Sequence, residues 1–576
     1  MKNVLLSGSD IVVKTLIEQG CETVFGYPGG QILNVYDSLY KYQNEINHVL
    51  AAHEQGAAHA ADGYARTTGK VGVVISTSGP GATNLVTGIA TAYLDSIPMV
   101  AICGNVPTTQ IGTDSFQEID ITGVTLPITK HNYFVSHVED LADTIREAFK
   151  LAKSGRPGPV LIDVPKDVQI AKCEYEEQAH VEKDKTFAAK DEKIEEAAKI
   201  INSAKRPFVY FGGGVITAEA EAEVLTLAEK IDAPIGCSLM GLSAIPTDHP
   251  RFLGMQGMHG HFASSMSMHN ADVILSLGVR FNDRVTGNRT KFATGAKIIH
   301  VDVDGSELNK TVNSVCGLRG DVKLTLQKLL PLLNEGTKPE WMAKVEAFRK
   351  EEENYLDNRE DLTPRRAILT LNKYLGDNTA VCTDVGQHQM WSAQSLNFKT
   401  ARRFASSGGL GTMGYGFGAA IGAAYGTGER SVLVTGDGSF GMNLNELATA
   451  VRYNVPVVVI IMNNGVLGMV RQWQTLFYEK HYSNSVLERK TDFAAFAKSF
   501  GADGEAVTTP EELDEALGRA FKTVGPYIID CKIDKDEFVL RMLPPGGSMD
   551  DIITKLEGNY EPIYVSGTGT KSIRRT

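Results

Sequence analysis

Short apolar runs rich in Val, Ile and Leu recur along this chain, each closed by a Gly-rich turn and followed by a stretch whose apolar positions repeat at helical spacing. A continuous apolar run reads as a strand buried on both faces, and its alternation with helices predicts parallel sheets covered by helices. The runs fall into three sets. The first includes Val71 to Ser76, Pro98 to Cys103 and Pro159 to Val164, and the second Pro207 to Phe211, Val273 to Leu277 and Lys297 to Val303. The third contains Ala380 to Thr383, Arg430 to Thr435, Pro456 to Met462 and Pro526 to Lys532.

Two charged, weakly apolar stretches separate the sets, Lys172 to Lys193 and Glu335 to Pro364. Both read as linkers, with a solvated helix inside a domain as the alternative for the second. The expected architecture is α/β, with three doubly wound parallel-sheet domains at residues 1–170, 190–335 and 365–545. A C-terminal tail follows at 546–576, and its last stretch, VSGTGTKSIRRT, reads as loose. The first residues read as an amphipathic helix. No repeat of fixed period is visible, which leaves open whether the three blocks are folds of one type.

Composition narrows the function. A chain of 576 residues, 43% hydrophobic and 22% charged, excludes a disordered or collagen-like protein. The net charge of −12, with no local basic patch, argues against nucleic acid and anionic membrane surfaces as partners. The longest strongly apolar run, Val455 to Met462, is far short of the ~20 residues that span a bilayer. Seven scattered cysteines, none in a CxxC pair, argue for a reducing compartment and against structural zinc. With no cleavable leader at the N-terminus, the expected location is the cytoplasm.

The strongest chemical signal lies in the third block. One run ends in Gly436-Asp437-Gly438, and after 24 intervening residues a second ends in Asn463-Asn464. Both motifs then sit at carboxyl ends of strands, where open α/β sheets bind ligands. Asp and Asn offer hard oxygens suited to Mg²⁺, and glycine lets a diphosphate approach the backbone. Ordinary βα turns use the same residues, so it is the spacing that points to a metal-diphosphate site. A second signal is Glu54, set among Ala51, Ala52, Ala57 and Ala58. His53-Glu54 begins a HExxH pattern, but position 57 is Ala, which excludes that zinc site. Gly26 to Gly30 and Ser78 to Asn84 are Gly-rich loops, each alone more often a turn than a cofactor loop.

With GQHQ at 386–389 and SGGLGTMGYG at 407–416, these motifs resemble those of thiamine diphosphate (ThDP) dependent enzymes. The resemblance implies that Asp437, the Asn464 side chain and the Val466 carbonyl bind Mg²⁺. It implies that Gly436, Gly438, Ser439, Gly386, Gln387, His388, Gly411, Gly468 and Met469 surround the cofactor. Glu54 matches the glutamate that bonds the aminopyrimidine ring, Asn84 a residue approaching that ring, and Met413 the apolar wedge that bends the cofactor.

Within that family, FGYPGG at 25–30, IGTDSFQE at 111–118, GVRFNDRVTG at 278–287 and LGMVRQWQ at 467–474 resemble the catalytic large subunits of acetohydroxyacid synthase, also called acetolactate synthase. The implied reaction decarboxylates pyruvate and joins the two-carbon fragment to a second 2-oxo acid, pyruvate or 2-oxobutyrate. This is the first common step of branched-chain amino acid biosynthesis. Arg284 matches the cation for the acceptor carboxylate, a task suited to the planar guanidinium. Trp473 would sense acceptor size, Gly29, Phe116, Lys166 and Met469 would border the substrate channel, and Gln117 would lie near the reacting centre. The implied catalytic set is Glu54, Gln117, Lys166 and Arg284.

The middle block resembles the family's FAD domain. Its matching positions are Gly212, Gly213, Gly214, Ser238, Leu239, Met258, His259, Gly278, Arg280, Asn282, Val285, Asp302 and Asp321, with Arg156 reaching over from the first domain. Asn282 stands where Asp is common in relatives, and Ser115 where Ala is common. FAD in this family performs no net redox step. Homodimers, with tetramers left open, and a separate small regulatory subunit are implied as well. The rival readings are a ThDP- and FAD-dependent pyruvate oxidase and a catabolic acetolactate synthase without FAD; Arg156, the RFNDR segment and Trp473 favour the biosynthetic synthase.

Overall fold

Each of the three sets of apolar runs closes into a six-stranded, fully parallel sheet in the computed structural model, which describes residues 4–554, 560–564 and 571–575. The N-terminal sheet contains β1 (Thr23–Gly26), β2 (Asn47–Leu50), β3 (Gly72–Ser76), β4 (Met99–Asn105), β5 (His131–Phe134) and β6 (Pro159–Pro165). The central sheet contains β7 (Pro207–Phe211), β8 (Ile235–Cys237), β9 (Phe252–Met255), β10 (Val273–Leu277), β11 (Lys297–Asp302) and β12 (Cys316–Arg319). The C-terminal sheet contains β13 (Ala380–Thr383), β14 (Phe404–Ser406), β15 (Ser431–Gly436), β16 (Val457–Asn463), β17 (Asp503–Val507) and β18 (Tyr527–Lys532).

The strand orders settle whether the blocks share one fold. The N-terminal order is β2-β1-β3-β4-β6-β5 and the C-terminal order β14-β13-β15-β16-β18-β17, the same arrangement twice. The central order, β9-β8-β7-β10-β11-β12, is the doubly wound order associated with dinucleotide sites. Side chains alternate between the two faces of each sheet. Val73, Ile75, Val100 and Ile102 pack on one side of the N-terminal sheet, and Val74, Ala101 and Leu161 on the other. Both faces are therefore covered, which is why these strands carry unbroken apolar runs.

The N- and C-terminal domains meet through helix Glu54–Thr68 and helix Tyr415–Thr427. A Cβ at Gly422 would sit 1.8 Å from the Ala60 carbonyl oxygen, and one at Gly63 2.1 Å from that of Ala419. Glycine is required at both positions because the two backbones nearly touch. The left-handed Gly69 (φ 74°) ends the first helix.

Three segments differ from expectation. Val4–Ser7 is a strand pairing antiparallel with Lys172–Tyr175, and the first helix begins only at Gly8. Residues 339–353, inside the second charged stretch, are helical. They bury Trp341, Val345 and Phe348, and the Trp341 indole N–H donates to the Pro207 carbonyl at 3.0 Å. Within the tail read as loose, Tyr560–Tyr564 pairs antiparallel with Lys571–Arg575; residues 555–559, 565–570 and 576 lie outside the described residues. No described helix is long and apolar enough to cross a membrane.

Candidate active site

Glu54 is the first residue of helix Glu54–Thr68. The imidazole Nδ1 of His53 caps that helix by accepting the Gln55 N–H at 3.0 Å. The Glu54 carboxylate accepts the Asn84 side-chain amide at 2.9 Å, and Gly81 leaves room beside it, since a Cβ there would lie 3.2 Å from Glu54 Oε1. Asn84 closes the short helix that follows β3. The turn before that helix is held at Gly79 (φ 56°), where a Cβ would meet Gln117 at 2.9 Å. Gly29 packs on Thr77, Thr77 Oγ1 accepts the Gln31 N–H at 3.2 Å, and Lys166 Nζ donates to the Gly30 carbonyl at 3.1 Å. Gly29, Glu54, Asn84, Gln117 and Lys166 thus gather at the carboxyl edge of one sheet. Phe116 stands beside Gln117 and is 83% exposed, on the surface instead of packed in the core.

Asp437 opens helix Asp437–Asn443 directly after β15, and burial pushes its carboxyl up to about 6. Asn464 Oδ1 accepts the Val466 N–H at 3.2 Å, and its amide reaches Gln387 Oε1 at 3.4 Å. Gly468 lets Gln387 in, since a Cβ there would lie 1.9 Å from Gln387 Oε1. The buried His388 ring lies against Gly386 and Gly436, its Nε2 without a hydrogen-bond partner, and burial pushes its pKa down to about 3. Met413 Cε comes within 3.9 Å of the position a Gly438 Cβ would take. Ser439 already donates its hydroxyl proton to the Val385 carbonyl at 3.0 Å. Gly411 (φ 70°) lies on the same loop as Met413.

These residues fit a metal-bound diphosphate. A buried carboxyl raised to about 6 is one a cation would draw back to its ionised form, and the unpartnered His388 nitrogen needs a polar neighbour. Among the described residues no cluster of three or more His, Cys, Asp or Glu is placed to hold a metal. A metal here would take oxygens from Asp437, Asn464 and the Val466 carbonyl, and complete its shell from the ligand.

On the flank of this group, the Arg284 guanidinium lies 5.8 Å from the Trp473 ring centre, and Trp473 packs edge-on against Phe477 at 5.2 Å. Trp473 and the half-buried Met469 share helix Gly468–Phe477. Among the described residues no hydrogen bond, ion pair or ring contact joins Glu54, Asn84, Gln117 or Lys166 to Asp437, Asn464, Met413 or Trp473. Within the chain they form two separate groups.

The central domain gives several residues duties of their own. Gly212 and Gly214 pack against Gly278, where Cβ atoms would come within 2.6 Å of its backbone; that contact between the β7 and β10 turns already requires glycine. Asn282 caps helix Asp283–Thr286 through the Arg284 N–H at 3.1 Å, and Asp321 caps helix Val322–Leu329 through Leu324 N–H at 3.0 Å. The backbone of Met258 bonds to Arg284 and Leu543, beside Val285. Ser238 precedes the short turn Leu239–Gly241. At the carboxyl ends of the edge strand β9 and of β11, the buried His259 Nδ1 and Gln256 Oε1 lack partners, and burial pushes Asp302 up to about 6. Arg280 donates to the Leu94 carbonyl, and Arg156 pairs with Glu307 at 3.0 Å. Unmet polar atoms and two arginines fit an anionic dinucleotide.

Sequence reasoning missed two buried carboxylates, Asp95 and Glu446. Each reaches loops in the opposite domain. Neither carried a local signal, since the amides they accept lie more than 300 residues away in sequence.

The chain matches thiamine pyrophosphate enzymes in three parts: the N-terminal TPP-binding domain over residues 6–124, the central domain over 194–329 and the C-terminal TPP-binding domain over 384–531. It is 42% identical to the acetolactate synthase isozyme 3 large subunit of Escherichia coli K12, over 95% of this chain and 98% of that one. It is 44% identical to the E. coli isozyme 1 large subunit, over 95% and 97%. It is also 44% identical to a probable acetolactate synthase large subunit of Methanocaldococcus jannaschii, over 95% of both.

Proposed function

The chain belongs to the acetolactate synthase large subunits of the thiamine pyrophosphate enzyme family, and on that footing we propose how its residues divide the work. The reaction joins two 2-oxo acids with loss of CO₂, at the first step of branched-chain amino acid biosynthesis. Bound ThDP supplies the electron sink for decarboxylation. Asp437, Asn464 and the Val466 carbonyl would hold Mg²⁺. Gly436, Gly438, Ser439, His388, Gln387, Gly386 and Gly468 would surround the diphosphate, with Met413 and Gly411 along the cofactor.

Glu54, oriented by Asn84, holds and exchanges a proton with the aminopyrimidine ring. Arg284 binds the acceptor carboxylate, and Trp473 with Met469 forms the apolar wall against its alkyl tail. Gln117, Lys166, Phe116 and Gly29 line the approach, where closing the site against water protects a reactive carbanion from protonation. FAD would lie on the central domain, between Gly213, Arg280 and Arg156 and the carboxyl end of β11. Two half-sites on one chain support a homodimer in which each site draws on both subunits. The large-subunit naming of the relatives supports a separate small regulatory subunit. Seven free cysteines suit a reducing cytoplasm.

The observation that carries this reading is Arg284 against Trp473, a cation beside an apolar wall at the edge of the Asp437 group. The test is an assay with pyruvate, with and without ThDP, Mg²⁺ and FAD, scoring acetolactate as acetoin after acid treatment while following flavin absorbance. Acetolactate that requires ThDP and Mg²⁺, with the flavin staying oxidised, is expected. Flavin bleaching with acetate as product would overturn the reading.

A further inference from the structure

The N- and C-terminal domains exchange buried carboxylates in reciprocal fashion. Glu446, in the turn Leu444–Glu446 and 1% exposed, accepts the backbone N–H of Ala52 at 3.1 Å and of His53 at 3.0 Å. These are the two residues before Glu54. Thr449 donates its hydroxyl to the same carboxylate at 2.7 Å. Gly56 makes the approach possible, since a Cβ there would lie 2.1 Å from Glu446 Oε1.

Asp95 ends helix Val86–Asp95 and is 8% exposed. It accepts the backbone N–H of Gly408 at 3.0 Å and of Gly409 at 2.7 Å, at the start of the loop that leads to Gly411 and Met413. A Cβ at Gly409 would sit 2.9 Å from Asp95 Oδ1. Arg66 donates to Asp95 at 2.8 Å and to the Ser406 carbonyl at 2.9 Å, which ties the strand before the loop into the same cluster.

A carboxylate removed from water is expensive unless it is fully bonded. Asp95 has Arg66 as a counter-charge, whereas the bonds to Glu446 come from neutral groups alone, with the Glu54 carboxylate close enough to disfavour its charge. Holding two domains together does not require such a group, because the Gly/Ala faces of helices Glu54–Thr68 and Tyr415–Thr427 already pack backbone to backbone. What distinguishes both carboxylates is their target. Each takes two consecutive amides of the other domain, from a segment running directly into a residue assigned to the cofactor.

We propose that Glu446 and Asp95 are paired positioning residues, Glu446 fixing the turn that aims Glu54 and Asp95 fixing the loop that aims Met413, so that each ThDP-binding domain sets the geometry of the other's half-site. The assignment rests on the functional reading above for the roles of Glu54 and Met413. The oxygens of both carboxylates are taken up by protein donors, the paired backbone amides together with Thr449 for Glu446 and Arg66 for Asp95.

The test uses full-length protein carrying Glu446→Gln or Asp95→Asn. Each amide keeps the shape of the acid but turns an N–H₂ toward a backbone N–H that needs an acceptor. In cofactor-free protein, backbone amide exchange at 52–53 in the first variant and 408–409 in the second is expected to rise at least about tenfold, the factor that loss of one buried hydrogen bond gives. With saturating Mg²⁺ and ThDP, turnover and the exchange of deuterium at the thiazolium C2 position are expected to slow together by at least about tenfold, with the pyruvate KM little changed. Unchanged C2 exchange, or activity lost only in proportion to unfolded protein, would overturn the proposal. Failure of both variants to fold would do so too, because it would make the carboxylates structural. A wild-type chain that makes no acetolactate would sink the functional reading separately; amide exchange at the two segments would still report on the clasp.

Discussion

The guanidinium of Arg284 stands 5.8 Å from the centre of the Trp473 ring, which brings together two residues from different domains and 189 positions apart in sequence. Arg284 is more than half exposed, and among the described residues it has one ion pair, a loose one to Asp283 at 3.7 Å. The cation is therefore free to take a carboxylate. Arg284→Gln should fold like the wild type and lower kcat/KM for pyruvate by about 10- to 100-fold, the worth of a charged hydrogen bond. Steady-state kinetics at saturating cofactor would check this; an unchanged kcat/KM would remove Arg284 from the site.

Trp473 makes the complementary case. Its ring is only partly buried and already packs on Phe477, so Trp473→Leu opens space without unfolding helix Gly468–Phe477. Discrimination by one methylene is worth about 1 to 3 kcal/mol, so the ratio of 2-oxobutyrate to pyruvate taken as acceptor should fall by about 10-fold or more from its wild-type value, whatever that value is. Competition between the two acceptors in one reaction mixture measures the ratio directly.

The close approach of helices Glu54–Thr68 and Tyr415–Thr427 predicts a sharp contrast among glycines. Gly422→Ala drives a methyl into the Ala60 carbonyl and should cost about 1 to 3 kcal/mol, as overpacking does. Gly295, where an added methyl would meet nothing within 4 Å, should accept Ala with a change within about 0.5 kcal/mol. Thermal unfolding of the two variants, followed side by side, tests the helix contact without any cofactor.

Asp163 offers a pH prediction away from the metal ligands. Burial pushes its carboxyl up to about 7, Oδ1 has no partner, and Oδ2 accepts the Asn105 amide at 2.7 Å. The folded pKa is raised, so this group's contribution to stability is present below the unfolded value of 3.8 and is lost as pH rises from there through about 7. Asp163→Asn removes that loss. Its stability relative to wild type should improve between pH 4 and pH 8, by an amount on the order of a few kcal/mol. Denaturant midpoints at the two pH values would show it, and a pH-independent difference would contradict it.

The long central strands were legible because a sheet buried on both faces demands unbroken apolar runs. Short edge strands such as His131–Phe134 and Asp503–Val507 were not, since half-exposed backbone carries no such run. The helix at 339–353 was kept only as the alternative to a linker, and its charges hid the buried face that Trp341, Val345 and Phe348 form at helical spacing. Asp437 and Asn464 stood out by residue type and spacing, whereas Glu54 was singled out through the family resemblance. Glu446 and Asp95 were not, because their partners lie more than 300 residues away in sequence, and nothing local marks an acid that will be buried against another domain's amides. Asp321 and Asn282, expected beside a flavin, also cap helices, a local duty that their motif matches did not announce.

Division of the site between chains can be tested by complementation. Glu54→Gln leaves an amide oxygen to accept from Asn84, so the fold should persist while turnover falls by about 10²- to 10⁴-fold, as for loss of a general acid–base group. Asp437→Asn should be similarly inactive through loss of the metal carboxylate. If each site takes Glu54 from one subunit and Asp437 from the other, a heterodimer of the two variants contains one doubly altered site and one intact site. Random co-assembly makes about half of the dimers heterodimers, so about a quarter of wild-type activity should return when the variants are co-expressed. If both residues serve a site within one chain, every site carries a lesion and the mixture stays inactive. Acetolactate formation by the co-expressed pair, against each variant alone, separates the two arrangements.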